Sequence, residues 1–178
     1  MAVSEYILFG DIDEFVVPHG DQMFSLHDVV EHLHRSGQCA LQFLSAFFEP
    51  TQTPARDSRS KYDDWGQLVV PLHDSTDLLS MTVLKRSREF SRVRTKCLVR
   101  PYQIFEAGIH HISKPIWASL VVQRVETSVA FLHHYRNCVG NLGMSCAGAV
   151  EDTAMLRYKE QLERRVNESL RHRDDVVL

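Results

Sequence analysis

The segment Tyr6–Pro18, with the sequence YILFGDIDEFVVP, constrains the fold of this chain more than any other stretch. Its apolar run Tyr6–Phe9 is rich in aromatic and β-branched residues and predicts a buried strand. We expect this strand to be central, with neighbours on both edges. Gly10 allows the chain to bend where the strand ends, and Asp11 and Asp13 follow. Because open α/β sheets bind ligands at the carboxyl ends of their strands, the segment predicts an α/β fold with a site here.

The two acids have the spacing of metal ligands. Residues i and i+2 of an extended chain lie on the same side, so the carboxylates of Asp11 and Asp13 lie close together. Oxygen ligands of this kind suit Mg²⁺ or Mn²⁺. The alternative is a pair of solvated acids in a turn. The preceding strand and the following Glu14, Phe15 and Pro18 favour the metal.

Three further segments accompany this motif: KCLVRP at Lys96–Pro101, GIH at Gly108–His110 and LHHYR at Leu132–Arg136. In this order, and together with Asp-x-Asp, they resemble glycosyltransferase family 92 from Tyr6 to about Arg136. The resemblance implies an α/β fold of the GT-A type, with a mixed sheet flanked by helices. A complete enzyme of this type has a nucleotide-binding half before its Asp-x-Asp strand. That half is expected to be missing here, because the strand begins almost at Met1.

The bulk properties fit one globular domain. The chain has 178 residues, and its formal net charge of −3 gives no general electrostatic case for nucleic acid. No apolar run reaches the roughly 18 residues of a membrane span, and the N-terminus lacks the pattern of a signal peptide. Residues 1–150 are predicted to be a partial GT-A-like domain, and residues 151–178 a charged C-terminal helix.

Hydrophobic periodicity predicts the remaining elements. The four cysteines contain no CxxC pair, so their spacing does not favour zinc, and their even number permits two disulfides. Residues 51–66 and 140–148 are predicted to be loops. The predicted helices are Ser25–Arg35, Asp74–Lys85 and 151–172, and the predicted strands are Cys39–Phe48, Gln67–Leu72, Cys97–Val99, and Ser119–Val125 with Ser128–Tyr135 as a hairpin.

The resemblance implies a metal site and extends it to a third residue. It makes Asp13 the stronger direct ligand of the two acids. GT-A-type enzymes often complete the metal shell with a later histidine, and His134 is the candidate. A neutral imidazole suits Mn²⁺ better than Mg²⁺. The alternative for His134 is a buried structural histidine.

Cations and one further histidine are candidate substrate ligands. Lys96, Arg100 and Arg136 can neutralise the oxygens of a diphosphate, although salt bridges to surface acids explain them equally well. His110 follows close after a glycine, which lets the backbone approach a ligand. The resemblance makes His110 a site residue.

The catalytic base is open among several acids. An inverting transferase needs a base within hydrogen-bond reach of the acceptor hydroxyl, and sequence gives no such distance. The aromatic and acidic segment Lys61–Gly66 is a candidate sugar platform, with an ordinary surface loop as the alternative. The candidate bases are Glu14, Glu49, Asp63, Asp64 and Glu106.

The resemblance implies a function: inverting transfer of galactose from UDP-galactose to a glycan acceptor in the Golgi, with a signal anchor in the full-length form. A sequon at Asn167 is a faint signal of the secretory route. One alternative is an inactive carbohydrate-binding remnant. Another is a haloacid-dehalogenase-type phosphatase. That family usually has Thr or Val where Phe15 stands, and its later acidic pair follows a strand, whereas Asp174–Asp175 follows a charged helix.

Overall fold

The computed structural model describes residues 5–49, 78–136, 138 and 149–174 of the chain. The strands are β1 (Ile7–Leu8), β2 (Glu14–Pro18), β3 (Gln38–Phe47), β4 (Lys85–Ser87), β5 (Ser91–Val99), β6 (Ile104–Ala107), β7 (Ile112–Pro115), β8 (Val121–Arg124), β9 (Ala130–His134) and β10 (Ala149–Glu151). The α-helices are α1 (Leu26–Leu33), α2 (Leu79–Thr82) and α3 (Lys159–Asp174), and short 3₁₀ helices span Pro101–Gln103 and Ala154–Tyr158.

A six-stranded mixed sheet forms the body of the fold, with β3 at its centre. One edge of β3 pairs antiparallel with β5, which carries β1 on its far side. The other edge pairs parallel with β8 and then with β9, and β2 lies antiparallel on β9. Two small sheets, β4 with β10 and β6 with β7, complete the described part. The predicted α/β class with a GT-A-like mixed sheet is confirmed.

The predicted hairpin of Ser119–Val125 and Ser128–Tyr135 is wrong. Both strands exist as β8 and β9, but they pair with β3 and not with each other. β8 lies beside residues 38–42 of β3, and β9 lies beside residues 45–47. Both strands run parallel to β3 along the same edge. The chain between them therefore continues in the same direction and does not turn back as a hairpin would. The Val125 N–H donates to the Gln42 carbonyl at 2.9 Å, which fixes this continuation.

The prediction that Tyr6–Phe9 is a buried central strand is also wrong. In the described residues, β1 pairs with β5 alone and ends the sheet. One edge of the strand is therefore unpaired by any described residue. The exposed fraction of Ile7 is 38% and that of Phe9 is 56%, so the apolar run is only partly covered.

Helix α1 follows its prediction closely. Ser25 accepts a hydrogen bond from the Asp28 N–H, and the Asp28 carboxylate accepts one from the Ser25 N–H, which is a complete capping box. Val29, fully buried, packs against Leu41 and Leu98 of the sheet. Burial of a side chain of this size stabilises by about 1.5–3 kcal/mol.

The other predicted elements differ mainly in their ends. Strand Cys39–Phe48 is confirmed as β3, buried on both faces as predicted, whereas Cys97–Val99 is only the end of β5. The described part of the predicted helix Asp74–Lys85 ends at Thr82, because Lys85 pairs in β4. The predicted helix 151–172 begins instead with the last residue of β10, which is a strand because it pairs with β4. A 3₁₀ helix and then α3 follow.

Some predictions fall on residues that the structure does not describe, namely the loops 51–66 and 140–148 and the strand Gln67–Leu72. Among the cysteines, Cys39 and Cys97 are free and buried and Cys138 is disulfide-bonded, so two disulfides do not form. In the described part of the chain, no helix combines the length and the apolar character needed to cross a membrane.

Candidate metal and substrate site

The acidic loop after β1 meets the ends of β2 and β9. In the β2–β9 register Glu14 lies opposite His134. Directly beyond β9, the Tyr135 N–H donates to the Asp13 carbonyl at 2.9 Å, which holds the loop against β9. The Asp13 Oδ2 atom consequently lies 3.4 Å from His134 Nε2.

A buried ion pair between Lys96 and Glu14 holds this loop in place. The Lys96 ammonium on β5 lies 3.0 Å from Glu14 Oε2 and 3.1 Å from Asp11 Oδ2. Lys96 is 2% exposed and the Glu14 side chain is fully buried. The Asp11 N–H also donates to Glu14 Oε2 at 3.0 Å. Lys96 therefore neutralises two of the three acids of the motif and fixes the path of the loop.

His134 is buried, with its ring stacked on Phe47 at a centroid distance of 5.0 Å. Its Nδ1 atom lies 3.4 Å from Glu14 Oε1, and neither of these two buried atoms has a hydrogen-bond partner among the described residues. Its Nε2 atom is the one directed at Asp13. The site thus contains a buried imidazole and a buried carboxylate whose polar atoms are incompletely satisfied.

Electrostatic interactions keep Asp13 negatively charged and Lys96 positively charged. The contact with His134 lowers the pKa of Asp13, burial opposes this shift, and the charge of Arg136 adds to the lowering. Burial disfavours the charged form of Lys96, but its bonds to Glu14 and Asp11 outweigh that cost and raise its pKa. Asp13 is therefore a carboxylate at neutral pH, available as a ligand.

These residues fit a divalent cation of the implied kind. A carboxylate oxygen and an imidazole nitrogen 3.4 Å apart can bind one ion together, and this donor set suits Mn²⁺. Asp11 differs from Asp13 because its carboxylate is bound to Lys96, although the side chain is 64% exposed.

Two other predicted substrate residues are held by neighbours outside this group. The Arg100 guanidinium contacts Tyr6 Oη at 2.9 Å, Glu5 Oε1 at 3.3 Å and the ring of His34. The His110 ring contacts Arg94 Nη1 at 3.0 Å and the Thr95 carbonyl at 3.1 Å. Four residues along a strand span about 13 Å, which separates Arg100 from Lys96.

The candidate bases lie in different environments. The Glu14 carboxylate is buried in the ion pair, Glu49 follows β3 and is partly buried, and Glu106 is exposed on β6. Asp63 and Asp64, together with the aromatic segment Lys61–Gly66, lie outside the described residues.

A second group of side chains was missed by the sequence analysis. His19, His133 and Asp152 bring one ligand atom each to within 4.8 Å of one another. Strand alternation does separate His133 from His134 onto opposite faces. His19 lies 114 positions before His133, and Asp152 lies 19 positions after it. No local sequence pattern connects them, so only the fold reveals the group.

A curated relative and a family model match this chain. The beta-1,4-galactosyltransferase galt-1 of Caenorhabditis elegans is 24% identical to the chain over 135 residues, which cover 76% of this chain and 27% of that protein. The chain therefore spans about a quarter of the length of this relative. The model of glycosyltransferase family 92 matches residues 1–176, which is nearly the whole sequence. The chain belongs to glycosyltransferase family 92.

Proposed function

We propose that this chain carries the metal-binding part of a hexosyltransferase site, which transfers galactose from UDP-galactose to a glycan acceptor with inversion. The observation that carries the proposal is the convergence of Asp13 Oδ2 and His134 Nε2, 3.4 Å apart at the ends of β2 and β9. Family membership supports it, as does the similarity to a protein named a beta-1,4-galactosyltransferase.

In this proposal Asp13 and His134 hold Mn²⁺, or Mg²⁺ in its place, with Asp11 as the second acid of the Asp-x-Asp motif. The bound metal would offset the negative charge that the diphosphate leaving group gains during transfer. Arg136 lies near enough to Asp13 to lower its pKa, and its guanidinium is well suited to bind the diphosphate.

Lys96 and Glu14 have positioning roles in this account. Their ion pair holds the loop that carries Asp11 and Asp13. A fully buried and paired carboxylate is a poor base for an acceptor hydroxyl, so we propose that the base is Glu49, Asp63, Asp64 or Glu106.

Arg100 and His110 are also proposed to act by positioning. Arg100 ties β5 to the N-terminal segment and to the end of α1, through Tyr6 and His34. His110 anchors its turn to β5. Both residues therefore support the sheet that carries Lys96.

The place of action that family membership favours is the secretory pathway, and we propose the Golgi. A carbohydrate-binding protein without transferase activity is the competing function. A haloacid-dehalogenase-type phosphatase fits poorly, because Phe15 stands where that family usually has Thr or Val, and Asp174 ends helix α3 instead of following a strand.

Isothermal titration calorimetry with UDP-galactose tests the proposal on the full 178-residue chain. We expect the donor to bind in the presence of Mn²⁺ and not in its absence. Asp13→Ala and His134→Ala should each weaken this binding by at least the ~10–100-fold that loss of an outer-shell partner costs at metal sites. Asp21→Ala, which removes an exposed acid after β2, is the matched control and should bind as wild type does.

Near-UV circular dichroism of each variant checks that its fold is retained. If wild type releases no heat with millimolar donor and Mn²⁺, but binds a free glycan, the binding function replaces the transferase. If Asp13→Ala titrates as wild type does, the proposed metal ligands are wrong.

A further inference from the structure

Three potential metal ligands converge on the face of the sheet opposite to His134. His19 follows β2, His133 lies within β9 and Asp152 follows β10, so the three come from distant parts of the chain. Their ligand atoms all lie within 4.8 Å of one another. Among the residues that the structure describes, this is the one group of three such side chains.

The two histidines face each other through the same ring atom. His19 Nε2 lies 3.0 Å from His133 Nε2. His133 is fully buried and His19 is partly buried. A neutral imidazole carries one nitrogen lone pair. This is the form in which imidazole binds metals.

A neighbouring hydroxyl can fix the tautomer of His133. Its Nδ1 atom lies 3.3 Å from Tyr135 Oη. When Nδ1 carries the proton and donates it to this oxygen, the lone pair of Nε2 faces His19. Histidine ligands of metals usually donate their second ring N–H in this way to an oxygen outside the coordination shell.

The third ligand is also held in place. Asp152 Oδ1 accepts a hydrogen bond from the Ala154 N–H at 3.1 Å, and Oδ2 lies 3.0 Å from Arg86 Nε. Each contact leaves further lone pairs on the carboxylate.

Aromatic rings surround the two imidazoles. His19 stacks on Phe131 at a centroid distance of 3.9 Å, and His133 stacks on Phe48 at 4.2 Å. These ring contacts hold the two imidazoles against Phe131 and Phe48, which reduces the cost of organising the group around an ion.

We propose that His19, His133 and Asp152 form a second divalent-cation site, distinct from the site of Asp13 and His134, and that it takes Zn²⁺. Two imidazole nitrogens and one carboxylate oxygen are a common zinc donor set. With Zn–N bonds of about 2.0–2.1 Å, two ligands of a tetrahedral ion lie about 3.3 Å apart, which is near the observed 3.0 Å.

The site would have a structural role, in which the bound ion links separate elements of the fold. It joins β2 and β9 of the large sheet to the segment between β10 and the 3₁₀ helix Ala154–Tyr158. An ion that binds the folded chain and not the unfolded chain stabilises the fold by mass action. Arg86 already neutralises one oxygen of Asp152, so we expect weaker zinc binding than at closed four-ligand sites.

Zinc titration of the chelator-treated full chain tests the proposal, with a chromophoric chelator as competitor. The Asp13→Ala background removes the first site from the measurement. In this background we expect one equivalent of Zn²⁺ and a higher melting temperature with zinc. Adding His19→Gln should weaken binding by about tenfold or more and abolish the thermal shift.

The control and the second variant make the test decisive. His27→Gln removes an exposed histidine that pairs with Glu31 on the surface of α1, and it should keep the zinc equivalent. Asp152→Asn replaces His19→Gln if the latter does not show a native near-UV circular dichroism spectrum. Equal zinc affinity with and without the folded ligand variant would overturn the proposal. So would a zinc equivalent that disappears with Asp13→Ala alone.

Discussion

The Glu14–Lys96 ion pair illustrates how single residues decide the character of the site. Both side chains are buried, and Lys96, which also contacts the exposed Asp11, is the cation bound to Glu14 Oε2. A buried pair contributes little against an apolar replacement of both members, but removal of one member leaves a charge without compensation. The pair thus fixes the geometry of the acidic loop more than it adds to stability.

Lys96→Met should destabilise the chain by about 3–5 kcal/mol, because it leaves the Glu14 carboxylate buried without a cation. Urea denaturation followed by circular dichroism measures the loss. The double variant Lys96→Met with Glu14→Gln is the control and should recover much of it. A single variant that loses less than about 1 kcal/mol would show that the carboxylate finds solvent or another partner.

The Cys97 thiol should be inert in the native state. Burial raises its pKa to about 11, and the thiolate is the form that reacts with iodoacetamide. We expect no alkylation of Cys97 at pH 8 without denaturant and complete alkylation in denaturant, as measured by peptide mass spectrometry. Cys39, the other buried free cysteine, serves as an internal comparison. Rapid native labelling of Cys97 would mean that this part of β5 opens readily.

At the residue scale, the sequence predicted the candidates and not their partners. Asp13 could be named because it lies in a recognisable motif after an apolar strand, and His134 because the family resemblance implies a later histidine ligand. Two contacts could not be predicted, because they join residues far apart in the sequence. Lys96 binds Glu14 across 82 positions, and Arg100 contacts His34 across 66 positions.

Helix α1 shows how local signals suffice at the scale of one element. The Ser25 and Asp28 capping box and the apolar positions Leu26, Val29 and Val30 lie within one short segment. The start of the helix could therefore be predicted from its own sequence.

Ser25→Ala should cost about 1 kcal/mol of stability, because the Asp28 N–H loses its side-chain acceptor. Thermal unfolding measures the effect. Ser36→Ala, in the exposed turn after α1, is the matched control and should change stability by less than about 0.5 kcal/mol. Equal stability of the two variants would indicate that the cap is replaced by water.

Strand pairing required the whole fold. The residues of β8 and β9 carry strand signals, and the short connection between them favoured a hairpin. The two strands instead follow one another along β3, because that long strand offers an edge for both. The mostly polar residues 91–96 likewise concealed the first half of β5, in which Arg92 and Val93 are exposed.

At the scale of the molecule, apolar surface is exposed at several places. Phe9 directly follows β1, one edge of which no described residue pairs, and Phe105, Ile109 and Trp117 lie in or next to the β6–β7 sheet. Exposed apolar side chains beside a strand edge favour pairing between chains.

We expect the isolated chain to associate at micromolar concentrations, as measured by sedimentation velocity. Phe9→Lys should shift the distribution towards monomer, because it places a charge next to β1, one edge of which no described residue pairs. Phe24→Lys changes a similarly exposed ring, 61% against 56%, away from that edge and should have a smaller effect. A wild-type monomer at all concentrations, with cooperative unfolding, would contradict this expectation.

The most direct test of the central claim is a crystal structure of the chain with Mn²⁺ and UDP-galactose, in which manganese is located by its anomalous scattering. The account predicts a manganese peak in direct contact with Asp13 Oδ2 and His134 Nε2, the atoms that lie 3.4 Å apart here, and with the diphosphate of the donor. A bound donor whose manganese contacts neither side chain would contradict it.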